Sequence, residues 1–294
     1  MRIVSLLPSA TDIIAELGLL EQVVGVSEDC NWPPEVRKKP QVARTRIDLK
    51  GLSAAEIDRL VSAAASETHS LWALDRELID ALAPDLIITQ DLCTVCAVSS
   101  GDLESACPLG AEVYSMNPHS LEDVIVSVVE LAARLGVEER GRSLAAAMRA
   151  KIDSVRAAVA RRQPVPVFVA EWVDPPYGCG HWLPEMVEAA GGRNLLSRPG
   201  EYSFPTSWEA VLATDPKLIV LACCGFGIEQ ALAHCASLRL PVRSVVVDGD
   251  SYYSRPAPRI AEGVRQLAHL LHPAAVEDPG LPAHELPIGA LSAA

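Results

Sequence analysis

The chain has 294 residues, of which 49% are hydrophobic and 21% charged, and its formal net charge at pH 7 is −13. This length accommodates two domains of ordinary size with sizeable cores. The negative charge and the lack of a basic stripe argue against a nucleic-acid partner, because binding phosphate requires clustered positive charge.

The apolar runs of the chain are interrupted within about ten residues by charge, Pro or Gly, which is too short to span a membrane. Met1-Arg2 leads directly into an apolar run, with no secretory leader ahead of it. The eight cysteines show no pairing pattern. We therefore expect a cytoplasmic protein as the chain stands, or a periplasmic or cell-surface one if a leader has been removed.

The first half of the chain alternates strand and helix patterns. Helices are predicted near residues 11–17, 54–65 and 75–83 from apolar spacing. Short apolar runs predict four parallel strands with helical crossovers, which describes a Rossmann-like lobe. These runs are residues 2–7, 23–26, 86–89 and 112–114.

Residues 120–162 are rich in alanine and favour helix, with one interruption at Gly136. Ser120 is suited to cap the start of this segment, and Glu122 and Asp123 fall in its first turn. The segment is consistent with two ordinary surface helices or with one long connector between two lobes. Its position near the middle of the chain favours the connector.

The second half repeats the alternation of strand and helix. Strands are predicted at 165–170, 218–222 and 244–247, and the residues after Pro273 are expected to be disordered or loosely packed. The predicted fold class is α/β, with two Rossmann-like lobes that contain parallel sheets and are joined by a long backbone helix. The predicted boundaries are 1–118, 119–163, 164–273 and 274–294. Helices are expected at 184–190, 208–213, 228–235 and 258–271.

Two stretches of the chain are alike: residues 83–90, which lead to Cys93, and residues 215–222, which lead to Cys223 and Cys224. Each combines a proline with a strand-length apolar run. In open α/β sheets, ligands bind beyond the carboxyl ends of the strands. We therefore expect function in the loops after these strands, with the cysteines of the two stretches on opposite sides of a cleft.

Aromatic residues make up only 4% of the chain, and most of them follow predicted strands. Any single one of them could belong to the core. As a set they favour an aromatic cleft that offers flat apolar surface to a bulky ligand. The set comprises Trp32, Trp172, Tyr177, Trp182, Phe226, Tyr252 and Tyr253.

Cys93-Thr94-Val95-Cys96 follows a predicted strand, and its two-residue spacer suits a redox pair or half of a metal site. A thioredoxin-like context is missing, and so is a second pair for structural zinc. Further lone ligands could come from Cys30, Cys179, His181 or Cys223. Cys93 and Cys96 are thus predicted to line the cleft and are the candidate metal ligands; otherwise they are small buried residues.

His181 lies in the glycine-flanked segment 178–182 before a predicted helix, where it could contact a ligand or a metal, although a lone loop histidine is more often a surface or capping residue. Motifs of nucleophilic, phosphate-binding and glycosidase sites are not found. The sequence therefore predicts a protein without catalytic activity.

Several segments resemble the class III solute-binding proteins of ABC importers, which include cobalamin-binding and siderophore-binding proteins. The resemblance covers about residues 2 to 272 and looks closest to the cobalamin-binding branch. It is carried by residues 2–12, Val24-Gly25-Val26-Ser27, Trp32-Pro33-Pro34, Pro84-Asp85-Leu86-Ile87, Gly180-His181-Trp182, Gly191-Gly192-Arg193-Asn194 and residues 252–259.

The resemblance implies two Rossmann-like lobes joined by a long helix, with a corrin ring packed between aromatic residues. Trp32 and either Tyr252 or Tyr253 correspond to such aromatics. The resemblance also implies an ABC permease as partner if the protein is exported, docked through acidic residues for which Glu185 and Glu188 are candidates. Residues 46–80, which include His69, are additional to the simplest form of the fold and could form a flap.

The leading prediction is non-catalytic binding of a corrinoid such as cobalamin. One alternative is a ferric siderophore or haem, for which Arg193, Arg198 or Arg255 should face the ligand. Another is a cytoplasmic metal-dependent or redox enzyme that uses Cys30, Cys93, Cys96 and His181. The candidate ligand-binding residues are Pro8, Ser9, Trp32, Asp91, Cys93, Cys96, Trp172, Tyr177, His181, Trp182, Phe226, Tyr252, Tyr253 and Arg255.

Overall fold

The computed structural model of the chain describes residues 1–66, 71–92, 97–103 and 110–291. The chain forms two compact units. The first unit comprises residues 1–52, 59–118 and 126–145, and the second comprises residues 53–58, 119–125 and 146–294. Within the described ranges, every helix is too short or not apolar enough to cross a lipid bilayer.

The first unit contains a six-stranded sheet in the order β4-β3-β2-β1-β5-β6. Five strands are parallel, and β4 is an antiparallel edge strand paired with β3. The four predicted strands are confirmed, whereas β3 and β4 are additional. The strands are β1 (Ile3–Ser5), β2 (Val23–Ser27), β3 (Gln41–Thr45), β4 (Trp72–Leu74), β5 (Leu86–Thr89) and β6 (Glu112–Ser115).

The central strands of this sheet are apolar without alternation, because helices cover both faces of a parallel sheet. Val4, Ile87 and Ile88 are fully buried. The extra segment 46–80 contributes β4 to the sheet edge, where Ala43 pairs with Leu74. At least this part of the proposed flap is therefore built into the sheet.

Four helices lie in the described chain before residue 110. Two have caps that the sequence encodes. Ser53 and Glu56 form a capping box, in which Ser53 N donates to Glu56 Oε2 at 2.8 Å, and Asp75 accepts a hydrogen bond from Leu78 N at 3.0 Å. The helices are α1 (Pro8–Glu16), α2 (Ala54–Ser66), α3 (Arg76–Leu82) and α4 (Ser100–Leu103).

The segment predicted as a connector contains two helices, α5 (Leu121–Arg134) and α6 (Glu138–Val159). They are separated at Gly136, whose φ of 74° is readily adopted only by glycine. Both helices contribute residues to each of the two units. The interruption seen in the sequence therefore divides the connector into two helices.

The second unit contains a seven-stranded sheet in the order β10-β8-β7-β11-β12-β13, with β9 paired to β7. β7, β9, β11 and β12 are parallel, while β8, β10 and β13 are antiparallel. The predicted strands are confirmed. The strands are β7 (Val165–Val173), β8 (Pro176–Gly178), β9 (Gly192–Asn194), β10 (Phe204–Pro205), β11 (Leu218–Leu221), β12 (Ser244–Val247) and β13 (Ala283–Glu285).

The prediction of a disordered or loosely packed tail is wrong for its described part. β13 pairs with β12, and Leu286 N and Gly289 N donate to Ser244 O and Leu240 O. Pairing with an open sheet edge satisfies backbone groups without requiring an apolar periodicity in the tail. This explains why the sequence pattern gave no signal.

Four helices and a π-helical turn complete the second unit. The sequence predicted all four helices to within two residues at each end, because apolar periodicity and capping residues mark the same boundaries. Before α8, for example, the Ser207 hydroxyl accepts a hydrogen bond from Ala210 N at 3.2 Å. The elements are α7 (Leu183–Ala189), α8 (Trp208–Ala213), α9 (Ile228–Cys235), the π-helical turn (Asp250–Ser254) and α10 (Ile260–Leu271).

Candidate functional site

In the first unit, buried polar side chains cluster where β1 and β2 end. Thr11 Oγ1 donates to Ser5 Oγ at 2.8 Å and lies 3.1 Å from Cys30 Sγ, which is 3.3 Å from Ser27 Oγ. All four side chains are buried. The Cys30 thiol thus anchors the loop after β2 to the start of α1, which weakens the case for Cys30 as a reactive or metal-binding thiol.

Pro8 and Ser9 open α1, whereas the sequence pattern predicted a helix from residue 11. The N-cap residue, Leu7, supplies no side-chain hydrogen bond, and Pro8 at the first position has no N–H to satisfy. Ser9 is fully buried, and its Oγ has no hydrogen-bond partner within the described ranges. The start of α1 therefore combines an N-terminal helix dipole with an unsatisfied hydroxyl, which together favour a polar or anionic group.

Asp91 joins the ends of β5 and β6. Its carboxylate accepts hydrogen bonds from Ser115 Oγ at 2.6 Å and Ser100 N at 2.8 Å, and its own N–H donates to Asn117 Oδ1 at 2.5 Å. Burial raises the pKa of Asp91, but the hydrogen bonds from Ser115 and Ser100 outweigh it and the net pKa is lowered. This predicted ligand contact has a structural role in the loop.

Trp32 is half-buried in the loop after β2, and its contact with a ligand stays a prediction. Cys93, Cys96 and His69 lie outside the described residues. The predictions that Cys93 and Cys96 line the site and bind a metal therefore stay predictions.

In the second unit, Trp172 and Phe226 meet at the carboxyl ends of β7 and β11. Their ring centroids are 5.1 Å apart, and the imidazole of His234 stacks on Phe226 at 4.8 Å. All three side chains are half-buried. Burial lowers the pKa of His234. His234 was missed because it lies in α9, far from any loop motif.

Two further aromatics of the predicted set, Tyr177 and Tyr252, lie near the carboxyl ends of β7 and β12. Tyr177 pairs with Trp172 across β7 and β8 and is half-buried. Tyr252 is half-buried in the π-helical turn after β12, with the Arg259 guanidinium 5.7 Å from its ring centroid. Both rings thus extend the aromatic surface at this end of the second sheet.

Three residues predicted to contact ligand are instead buried structural groups. Tyr253 is fully buried and donates from Oη to Gln266 Oε1 at 2.7 Å; burial and the charge of Asp248 raise its pKa. Trp182 is 4% exposed and donates from Nε1 to Tyr253 O at 2.8 Å. Arg255 is bound to both carboxylate oxygens of Asp250, at 2.6 and 2.8 Å.

The cysteines of the second unit that were considered as lone metal ligands are also buried. Cys179 and Cys223 are buried, and Cys223 packs in the core with Cys235. Burial and the charge of Glu171 raise the pKa of Cys179, and the Cys235 thiol and burial raise that of Cys223. Metals bind the thiolate, so these two thiols are poor ligands at neutral pH. Cys223 thus belongs to the core of the second unit, in contrast to its predicted place as an accessible ligand.

His181 lies beside two residues that the sequence analysis did not single out, His119 and Tyr202. Its ring centroid is 5.8 Å from that of His119 and 5.1 Å from that of Tyr202, and it stacks on Trp182 at 5.7 Å. Burial and the proximity of His119 lower the pKa of His181. His119 lies two residues before α5 and Tyr202 two residues after Gly200, so only the tertiary fold brings the three rings together.

Within the described part of the chain, groups of three or more His, Cys, Asp or Glu side chains suited to hold a metal ion are not found. The strand ends of the second unit thus present mainly aromatic surface, while those of the first unit carry Trp32 and several hydroxyls. A surface of this kind binds a ligand by apolar burial and orients it by hydrogen bonds.

Two α/β units whose candidate residues follow the carboxyl ends of parallel strands define a protein of the solute-binding class. Residues 3–236 match the sequence profile of the family described as periplasmic binding protein. The chain belongs to this family, and the resemblance seen in the sequence is confirmed.

Individual relatives are distant but span most of the chain. The chain is 24% identical over 274 residues to the vitamin B12-binding protein of Yersinia pestis (strain Pestoides F), a match that covers 90% of this chain and 84% of the relative.

Two solved structures show how widely the fold is shared. A periplasmic heme-binding protein from Pseudomonas aeruginosa superposes with a TM-score of 0.72 and 20% identity, covering 98% of this chain and 99% of that one. The periplasmic vitamin B12 binding protein of Vibrio cholerae superposes with a TM-score of 0.63 and 22% identity, covering 93% of this chain and 97% of that one. At these identities the structures support the fold alone.

Proposed function

We propose that the protein is a non-catalytic binding protein for a corrinoid such as cobalamin. The observation that carries this proposal is the set of half-buried aromatic rings after parallel strands: Trp32 in the first unit, and Trp172, Phe226 and Tyr252 in the second. Such rings offer flat apolar surface to a planar macrocycle. Membership in a family of solute-binding proteins supports the same conclusion.

The charges near these rings favour a corrinoid over a haem or a ferric siderophore. Haem carries two carboxylates, whereas most side chains of cobalamin are neutral amides that form hydrogen bonds. Two of the three arginines expected to face an acidic ligand are in ion pairs, Arg255 with Asp250 and Arg198 with Glu201. The unsatisfied Ser9 hydroxyl at the start of α1 suits an amide or a phosphate.

The proposal includes delivery of the ligand to an ABC permease. Exposed carboxylates suit docking on a basic surface. Glu188 is exposed on α7, whereas Glu185 accepts a hydrogen bond from Leu121 N and is partly buried. Of the two candidates, Glu188 is therefore the better placed.

Titration calorimetry tests the ligand. Purified protein is titrated separately with cyanocobalamin, haemin and a ferric siderophore. We expect one cyanocobalamin per chain, and each of the variants Trp32→Ala and Trp172→Ala to weaken binding at least tenfold, or about 1.4 kcal/mol. Tyr114→Leu, an aromatic on β6 beside Arg134, is the control and keeps the affinity.

Two results would overturn the proposal. Saturable binding of haemin or siderophore without cyanocobalamin binding supports the first alternative. Stoichiometric iron in fresh protein, without an organic chromophore or cyanocobalamin binding, supports a metal-dependent enzyme.

A further inference from the structure

Three side chains in the second unit form a cluster that the proposed ligand site does not use. The ring centroids of His119, His181 and Tyr202 lie 5.1 to 6.2 Å from one another. Within the described ranges, none of the three rings has a hydrogen-bond partner for its polar atoms. Nδ1 of His181 is moreover fully buried without a partner. Leaving a buried polar atom without a hydrogen bond destabilises a protein, so this nitrogen calls for an explanation.

We propose that His119 and His181 bind one divalent transition-metal ion of the Zn²⁺ or Ni²⁺ type, with His181 ligating through Nδ1 and water completing the coordination. Imidazole is the ligand that suits these ions. Binding through Nδ1 gives the buried nitrogen the partner it lacks.

The distance between the two imidazoles fits a shared ion. With a metal–nitrogen distance of about 2 Å, each ring centroid lies about 3.2 Å from the metal. Two rings that share an ion then have centroids about 5.2 Å apart at a tetrahedral angle and about 6.4 Å apart when they are opposite each other. The observed separation is 5.8 Å.

The backbone holds His181 in an unusual conformation. Its φ is +53°, in the left-handed region that few non-glycine residues adopt. His181 N donates to Glu201 O at 2.7 Å, and Gly200 N donates to His181 O at 3.0 Å. The ring also stacks on Trp182, which is itself fixed by its bond to Tyr253 O. His181 is thus held in place before an ion binds, as tight metal sites require.

His119 is fixed from the other side by the first turn of α5. The Asp123 carboxylate accepts from His119 N at 3.0 Å and from Ser120 N at 2.9 Å. This carboxylate also places a negative charge near the proposed cation. Tyr202 stands edge-on to both imidazoles, at interplanar angles of 89° and 83°, and shields the pair from one side.

Calorimetry with Ni²⁺ on tag-free protein tests the site. Cysteines are first alkylated with iodoacetamide so that thiols do not compete, and tetrapyrrole is omitted so that the result is independent of the proposed function. We expect one Ni²⁺ per chain, an affinity at least tenfold lower in His119→Ala and His181→Ala, and no measurable binding in the double variant.

Two control variants are matched to the cluster. Tyr202→Phe keeps the shielding ring and should keep the affinity within about twofold. His234→Ala removes another imidazole that packs on an aromatic ring, that of Phe226, and should leave binding unchanged. Stoichiometric Ni²⁺ binding that persists in the double variant would overturn the proposal, and so would binding that is lost in His234→Ala.

A measurement on the unaltered chain guards against misfolded variants. Ni²⁺ is paramagnetic and broadens nearby proton signals. At substoichiometric Ni²⁺ we expect the ring signals of His119, His181 and Tyr202 to broaden first and that of His234 to stay sharp. Earlier broadening of His234, or no selective broadening, would contradict the assignment.

Discussion

Arg255 carries a positive charge into the interior of the second unit. Its side chain is 4% exposed and that of its partner Asp250 is 16% exposed. The two-oxygen pairing fits the planar guanidinium, and it holds the π-helical turn that carries Tyr252. The sequence indicated a ligand-binding arginine, but the structure gives this charge an internal partner.

Removing Asp250 should be strongly destabilising, because it leaves a buried charge without its main partner. We expect Asp250→Ala to lower the free energy of unfolding by roughly 3–5 kcal/mol, measured by urea denaturation. Asp153→Ala breaks the exposed pair with Arg156 on α6 and should cost less than about 1 kcal/mol. Equal losses in the two variants would show that the buried pair contributes no more than the exposed one.

At the scale of elements, α10 shows how packing overrides helix propensity. Gly263 lies inside this helix, where alanine is intrinsically favoured by about 1 kcal/mol. An ideal Cβ at this position would lie 2.1 Å from the backbone oxygen of Tyr252 and 3.0 Å from Cε of Met186. The glycine therefore permits α10 to approach the π-helical turn closely.

We expect Gly263→Ala to destabilise the protein by about 2 kcal/mol despite the gain in propensity, since a backbone oxygen cannot move aside like a flexible side chain. Thermal and urea unfolding measure the loss. Gly101→Ala in α4 is the control, because its Cβ would meet nothing closer than Ser99 Oγ at 3.8 Å. A Gly263→Ala protein as stable as Gly101→Ala would disprove the close approach.

For the whole molecule, the net charge of −13 means that stability depends on how its carboxylates titrate. Burial raises the pKa of Asp123, but hydrogen bonds from Ser120 and from the His119 and Ser120 backbone outweigh it and lower the pKa below 3.8. Burial likewise raises the pKa of Glu262, but the hydrogen bonds and positive charges of Lys151 and Arg265 outweigh this effect. The pKa of Glu262 therefore lies below 4.5.

A carboxyl whose folded pKa is depressed stabilises the protein above its unfolded pKa, and the contribution is lost as the pH falls through the folded value. We therefore expect the free energy of unfolding to fall between about pH 5 and pH 2. In the double variant Asp123→Asn/Glu262→Gln, the free energy of unfolding should already be lower than in the wild type at pH 6, and it should fall less on acidification. Urea denaturation at each pH measures both quantities.

The control for this pH dependence replaces two exposed carboxyls, as Glu16→Gln/Glu188→Gln. It should retain the wild-type decrease on acidification. A double variant Asp123→Asn/Glu262→Gln with the same decrease as this control would contradict the assignment.

Part of the site could be predicted, because loops after parallel strands converge by topology alone. Trp32, Trp172, Tyr177, Phe226 and Tyr252 were placed by this rule and lie half-buried at strand ends. Tyr253, Trp182 and Arg255 obey the same rule yet are buried. The sequence does not distinguish the half-buried residues from the buried ones, since neighbouring residues of one turn point their side chains in different directions.

The sequence by itself determined most of the parallel strands, the helices of the second unit and the break at Gly136, because apolar run length, periodicity, caps and glycine act over neighbouring residues. Only the tertiary structure decided the additional strands β3, β8 and β13, the internal pairing of Arg255 with Asp250, and the meeting of His119 with His181 and Tyr202. Those features depend on contacts between residues that are distant in the chain, or on the direction that each side chain takes within a turn. Local sequence patterns contain no information about either.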